Sequence, residues 1–178
     1  MDKSGVRGEY VGNIVVVMNG SMNERLGKNH KLDGEGAIVA KVTVYGENGP
    51  DDVGEYIGFS MTANYEKFGA IADEEYDVTY DERGMGKPYD SHYAINGRGP
   101  VDCINGVNPS PKEYNPCSDT QKNGVFIHRT NNDGSVVDNP TTHKTVSSGC
   151  ILILASQWST FENQIGKNNF KFILNRTN

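Results

Sequence analysis

The sequence predicts a mostly β protein of the β-rich α+β class, with one short helix in its C-terminal half. Three observations predict it. Short runs rich in Val, Ile, Tyr and Phe recur along the chain and are bounded by turn residues, the pattern of half-buried strands. Gly (21) and Asn (19) are abundant among the 178 residues, and both favour turns over helix interiors. The hydrophobic fraction is 35%, below the ~45–50% of an ordinary globular chain, so the core is modest for what the length makes a single domain.

Taken in order, the strand-like runs are 13–18, 37–45, 56–61, 76–80, 92–95, 125–129, 151–154 and 170–174. Asn48-Gly49, Asn96-Gly97, Asn105-Gly106 and Asp133-Gly134 are turn signals between them. Apart from 13–18, residues 1–36 are polar and rich in Gly and Asn, and read as an N-terminal extension packed on or leading into a domain of 37–178. Residues 97–123 hold four of the seven prolines (Pro100, Pro109, Pro111, Pro116). A loop of that length is commonly functional, and it reads either as a lid over a pocket or as a stapled surface excursion. Near the C-terminus Ser156 can cap a helix. Trp158, Phe161 and Ile165 fall on one stripe of it, best read as packing on a sheet, and Gly166 sits at its expected stop.

Charge and hydropathy exclude several functions. A net charge of −6 and a pI near 5.2 suit nucleic-acid binding poorly, because that binding rests on basic patches. No apolar stretch approaches the roughly 18–20 residues of a membrane-spanning helix. The run Ile14–Met18 is shorter than the ~7–15-residue core of a signal peptide. The chain is therefore expected either not to use that export route or to begin downstream of a removed leader or larger upstream part. Three cysteines are present. Cys103 and Cys117 lie in one loop and either pair in an oxidising compartment or stay reduced, while Cys150 stands in a different setting. The four histidines, His30, His92, His128 and His143, and the cysteines show no close paired spacing, so neither a metal nor a cofactor is expected.

Two segments carry the chemistry: Gly124-Val125-Phe126-Ile127-His128-Arg129-Thr130-Asn131 and Thr145-Val146-Ser147-Ser148-Gly149-Cys150-Ile151-Leu152-Ile153. His128 falls near a strand end before a turn, where a rigid element presents a side chain to solvent. Cys150 follows a glycine that lets substrate approach closely and begins an apolar strand. Cysteine and histidine make a nucleophile–base pair, since an imidazolium nearby favours the thiolate. The ring needs a third group to orient it, and the backbone carbonyl of Arg129 can accept its second N–H. Backbone N–H groups of Ser148, Gly149 and Cys150 can form an oxyanion hole. His143 is a weaker candidate for the base, since it lies in a loop. Tyr93 either lines the pocket or packs in the core.

With these residues in view, Ile127-His128-Arg129-Thr130-Asn131 followed by Ser147-Ser148-Gly149-Cys150-Ile151 resembles the L,D-transpeptidase catalytic domain of the YkuD type. That family carries a His-Gly-Thr-Asn-like segment followed by Ser-His-Gly-Cys-Ile-Arg. Residues 68–78 resemble its turn-and-strand segment, and the likeness covers roughly 37–174. The resemblance implies a mixed β-sandwich. It also implies Cys150 as acyl-accepting nucleophile, His128 as base, and peptidoglycan stem tetrapeptides as substrate. Release of D-alanine would leave a thioester, passed to an amine in transpeptidation or to water in L,D-carboxypeptidation.

The chain departs from the family where Ser148 replaces His or Arg, Arg129 replaces a small residue and Leu152 replaces Arg. Arg98 or Arg129 is left to meet the substrate carboxylate, with Tyr93, Ser147 and Thr130 on the substrate side. Divergent members without leaders occur as secreted antibacterial toxins. The implied setting is therefore the periplasm or cell envelope, with a cognate immunity protein as partner. The alternatives are a cysteine peptidase or amidase acting on another amide, and an inactive cell-wall-binding module.

Overall fold

A computed structural model of the chain describes residues 14–61, 70–82, 92–104, 121–139, 144–145 and 150–177. Eight strands close into a barrel: β1 (Ile14–Ser21), β2 (Ala40–Tyr45), β3 (Val53–Phe59), β5 (Glu75–Tyr80), β6 (Tyr93–Ile95), β9 (Phe126–Arg129), β12 (Ile151–Ile153) and β13 (Phe170–Thr177). Their order round the barrel is β1-β13-β5-β6-β9-β12-β3-β2. These are the eight runs anticipated from the sequence, and the β-rich class holds. The mixed sheets expected to stack as a sandwich are here one sheet closed on itself. Closure leaves no open edge in that sheet.

Shorter strands form two small sheets. β4 (Ala70–Ile71), β7 (Val101–Ile104) and β8 (Gln121–Lys122) make one, and β10 (Val137–Asn139) with β11 (Lys144–Thr145) makes the other. Runs of two to four residues show no periodicity, so the sequence did not mark them.

Two strand pairs in the barrel are parallel. β1 runs with β13 from Ile14↔Phe170 to Ser21↔Thr177, and β9 runs with β12 from Ile127↔Ile151 to Arg129↔Ile153. The first pair corrects a sequence expectation. The run assigned to an N-terminal extension lies between β13 and β2 as a barrel strand. The physical reason is that both of its faces are covered. Ile14, Val16 and Met18 join the central core, while Val15 and Val17 pack with Ile173 on the other face. A continuous apolar run is the signature of a strand buried on both sides.

Between β3 and β12 the backbones approach closely at Gly58. A Cβ there would lie 2.8 Å from the Leu152 carbonyl oxygen and 2.8 Å from Val42 Cγ2. The single α-helix among the described residues, α1 (Ala155–Ile165), buries Trp158, Phe161 and Ile165, as the stripe predicts. Gly166 ends it with φ 66°, a left-handed conformation that costs glycine little. Ser156 is not its cap. The N-cap position is Leu154, which supplies no side-chain bond.

Candidate functional site

The site forms where β9 and β12 run in parallel. Ile151 lies opposite Ile127, so the residue before β12, Cys150, comes level with Phe126. The side chain confirms that placement, because the Phe126 amide N–H donates to Cys150 Sγ at 3.5 Å. A hydrogen bond to sulfur favours the thiolate. Cys150 is half-buried and not disulfide-bonded, packed against the central core.

His128 follows Phe126 by two residues, about 7 Å along the strand, and pairs with Leu152. It is 3% exposed. Its Nδ1 lies 3.0 Å from the carbonyl oxygen of Arg129, the orienting contact anticipated from the sequence. Because a carbonyl only accepts, Nδ1 carries the hydrogen and Nε2 keeps the lone pair a base needs. Burial pushes the ring down to about 4; the contact to the Arg129 carbonyl opposes that shift and the Arg129 charge adds to it. At neutral pH His128 is therefore uncharged. The imidazolium that the sequence reading placed beside the thiol is not the resting form.

Other anticipated residues have different roles. The Arg129 guanidinium donates from Nη1 to the Thr130 carbonyl at 3.0 Å and to Asn132 Oδ1 at 3.1 Å, which ties it to the turn. Thr130 is buried, and its Oγ1 accepts the Ala155 amide N–H at 3.0 Å. It thus caps α1 from the end of β9 and supplies the bond that Leu154 cannot. Tyr93 is a core residue. Its ring packs against Phe170 at 5.6 Å and against Trp158 and Phe161, each at 6.0 Å. Its hydroxyl donates to the Gly166 carbonyl at 2.7 Å. Arg98 reaches the site's flank, with its guanidinium 4.9 Å over the Phe126 ring, but Nε donates to Asp81 Oδ2 at 2.5 Å. Its charge is already matched. Ser147, Ser148, Gly149, His143 and Cys117 lie outside the described residues. Cys103 is disulfide-bonded.

One residue at the site was missed. Lys122 on β8 is 2% exposed and interacts electrostatically with Cys150. Its pairing partner, Val101, is a member of the central core. Among the described residues no group of three or more His, Cys, Asp or Glu is placed to hold a metal ion. Among them, too, no helix is long and apolar enough to cross a membrane.

No protein-family model matches the chain, and no curated protein matches it. Among solved structures it is similar to the helical cell shape determining protein Pgp2 of Campylobacter jejuni, with TM-score 0.42 and 13% identity over 93% of this chain. A point mutant of the same protein gives TM-score 0.43 and 14% identity, also over 93% of this chain. The chain spans about half the length of those structures, 49% and 48%. Scores this low leave the chemistry to be argued from the chain's own residues.

Proposed function

We propose that this chain is a cysteine acyltransferase acting on peptidoglycan stem peptides, as an L,D-transpeptidase or L,D-carboxypeptidase. The observation that carries the reading is the parallel β9–β12 register. It sets a half-buried thiol level with Phe126, two residues from a buried, neutral histidine whose Nδ1 is held by a backbone carbonyl.

In this reading the thiol gives its proton to His128 Nε2, and the sulfur attacks the carbonyl of the third residue of the stem. The amide C–N bond breaks. D-alanine leaves with the proton returned by His128, and a thioester remains on Cys150. An acceptor amine yields a cross-link and water yields the shortened stem. Backbone N–H groups of Ser148, Gly149 and Cys150 are assigned to the developing oxyanion. A neutral resting imidazole suits a base, which must be unprotonated to accept the proton. Delivery to the periplasm or cell envelope as a secreted toxin, with an immunity protein as partner, belongs to the same proposal and rests on the sequence resemblance.

The test is digestion of tetrapeptide-bearing muropeptides, followed by mass spectrometry. Loss of D-alanine by the native chain, abolished in Cys150→Ala and His128→Ala, supports the reading. Processing by Cys150→Ala at the native rate rejects it. Cleavage of a different amide bond assigns the chain to the peptidase or amidase alternative.

A further inference from the structure

We infer that Arg98 forms the subsite for the terminal carboxylate of the substrate, through the Nη1 and Nη2 edge of its guanidinium; the inference deepens the acyltransferase reading and rests on it. Alternation along β9 places Phe126 and His128 on one face and buries Ile127 in the central core on the other. Phe126 meets two functional groups at once. Its amide N–H donates to Cys150 Sγ at 3.5 Å, and its ring carries the Arg98 guanidinium at 4.9 Å. The arginine thus lies on the His128 side of the seam, at the level of the thiol.

The backbone is bent to place it there. Asn96, Gly97 and Arg98 are all left-handed, with φ of 51°, 59° and 72°. Residues other than glycine adopt that conformation only where surrounding contacts hold it. Here Asn96 Nδ2 donates to the Pro100 carbonyl at 2.9 Å, and the Gly124 N–H donates to the Arg98 carbonyl at 3.1 Å. Asp81, itself largely buried, accepts from Arg98 Nε at 2.5 Å. That contact fixes one edge of the planar group. Nη1 and Nη2 carry the remaining N–H donors, and the Arg98 side chain is 36% exposed. Among the described residues neither nitrogen has an acceptor. Two parallel N–H groups on a rigid fork match the two oxygens of a carboxylate. Because Asp81 already balances the charge, the fork selects by geometry more than by net attraction.

The other arginine near the seam does not take this role, since Arg129 gives Nη1 to the Thr130 carbonyl and to Asn132 Oδ1. In an extended peptide a terminal carboxylate lies one residue past the scissile carbonyl, about 3.4 Å along the chain. With the scissile carbonyl at the sulfur, that carboxylate is one step from the guanidinium stacked on Phe126.

The experiment compares a synthetic stem tetrapeptide with its C-terminal carboxamide as substrates of the full chain. The carboxamide keeps one acceptor oxygen and loses the second oxygen and the charge. Native protein is expected to show a KM about tenfold higher for the carboxamide, with kcat little changed. Arg98→Met keeps an unbranched stem over Phe126. It is expected to raise the KM of the carboxylate about tenfold and to abolish the preference between the peptides. Arg98→Lys restores the charge without the fork and should recover the preference only in part. Equal KM values in native protein overturn the inference, and so does a preference that survives in Arg98→Met.

Titration of the same two peptides into Cys150→Ala protein, followed by NMR, separates the two readings. Carboxylate-dependent binding with no turnover by the native chain rejects the acyltransferase while the subsite stands. Turnover without a carboxylate preference rejects the subsite while the acyltransferase stands.

Discussion

The barrel contains two parallel strand pairs, and they are put to different uses. β1 and β13 run together over their whole lengths, Ile14–Ser21 against Phe170–Thr177, and Ile14–Met18 with Phe170, Phe172, Ile173 and Leu174 bury apolar side chains along that seam. β9 and β12 share only the short register from Ile127↔Ile151 to Arg129↔Ile153. Around this second seam sit buried His128, buried Thr130 and the Cys150 thiol. Burying polar groups costs free energy unless each finds a partner. The long apolar pair contributes stability, and the short one holds the groups to which the proposed function assigns chemistry. Proteins commonly accept such local costs at functional sites.

The sharpest way to break this contrast is to truncate one residue at each seam. Cys150→Ala is expected to eliminate processing of muropeptides while leaving the urea midpoint near the native one. Leu174→Ala, at a fully buried site opposite Met18, should cost about 2–5 kcal/mol without changing the specific activity of the folded fraction. A Cys150→Ala protein as unstable as Leu174→Ala would erase the distinction.

Next in size is the pH dependence that the second seam alone introduces. The folded His128 titrates at about 4, below its ordinary 6.5. Between those values the unfolded chain binds a proton that the folded chain refuses, so the stabilising effect is present above about pH 6.5 and lost as pH falls toward 4. The slope attributable to this group is up to about 1.4 kcal/mol per pH unit. Urea unfolding at pH 7 and pH 5 should show it in the native chain and show less of it in His128→Gln. An equal slope in both would mean that His128 is not the group responsible. The same displacement predicts that the acid limb of kcat/KM lies near pH 4. A limb near 6.5 would contradict a buried, neutral base.

The smallest expected effect concerns the cap that links the second seam to α1. Thr130→Val removes the oxygen that accepts the Ala155 N–H and should cost about 1 kcal/mol, read as a lower urea midpoint with an unchanged slope. Activity per folded molecule should stay close to native, because Thr130 is a structural residue. A large loss of activity with native stability would return Thr130 to the substrate side.

Much of the fold was legible. All eight barrel strands were marked by apolar runs, since strands that bury a face must repeat hydrophobic residues. The helix was marked by Trp158, Phe161 and Ile165 and by the stop at Gly166. The site was legible only where residue type is itself chemical, at Cys150 and His128. The bonds of Thr130 and Tyr93 were not legible, because a hydroxyl near a motif looks the same whether it meets a substrate, caps a helix or bonds a carbonyl. Lys122 was invisible for the opposite reason. A lysine in a proline-containing loop reads as solvated, and its burial follows from β7 pairing with β8.

The sequence by itself determined which segments form the barrel strands and which thiol and imidazole could form a pair, because these follow from periodicity and side-chain reactivity. Tertiary structure alone decided that the first strand joins the last, that the sheet closes, that His128 is buried and rests uncharged and that Lys122 is buried. Those outcomes depend on pairing between residues distant in sequence and on exclusion of water, and neither quantity is written in any local stretch of the chain.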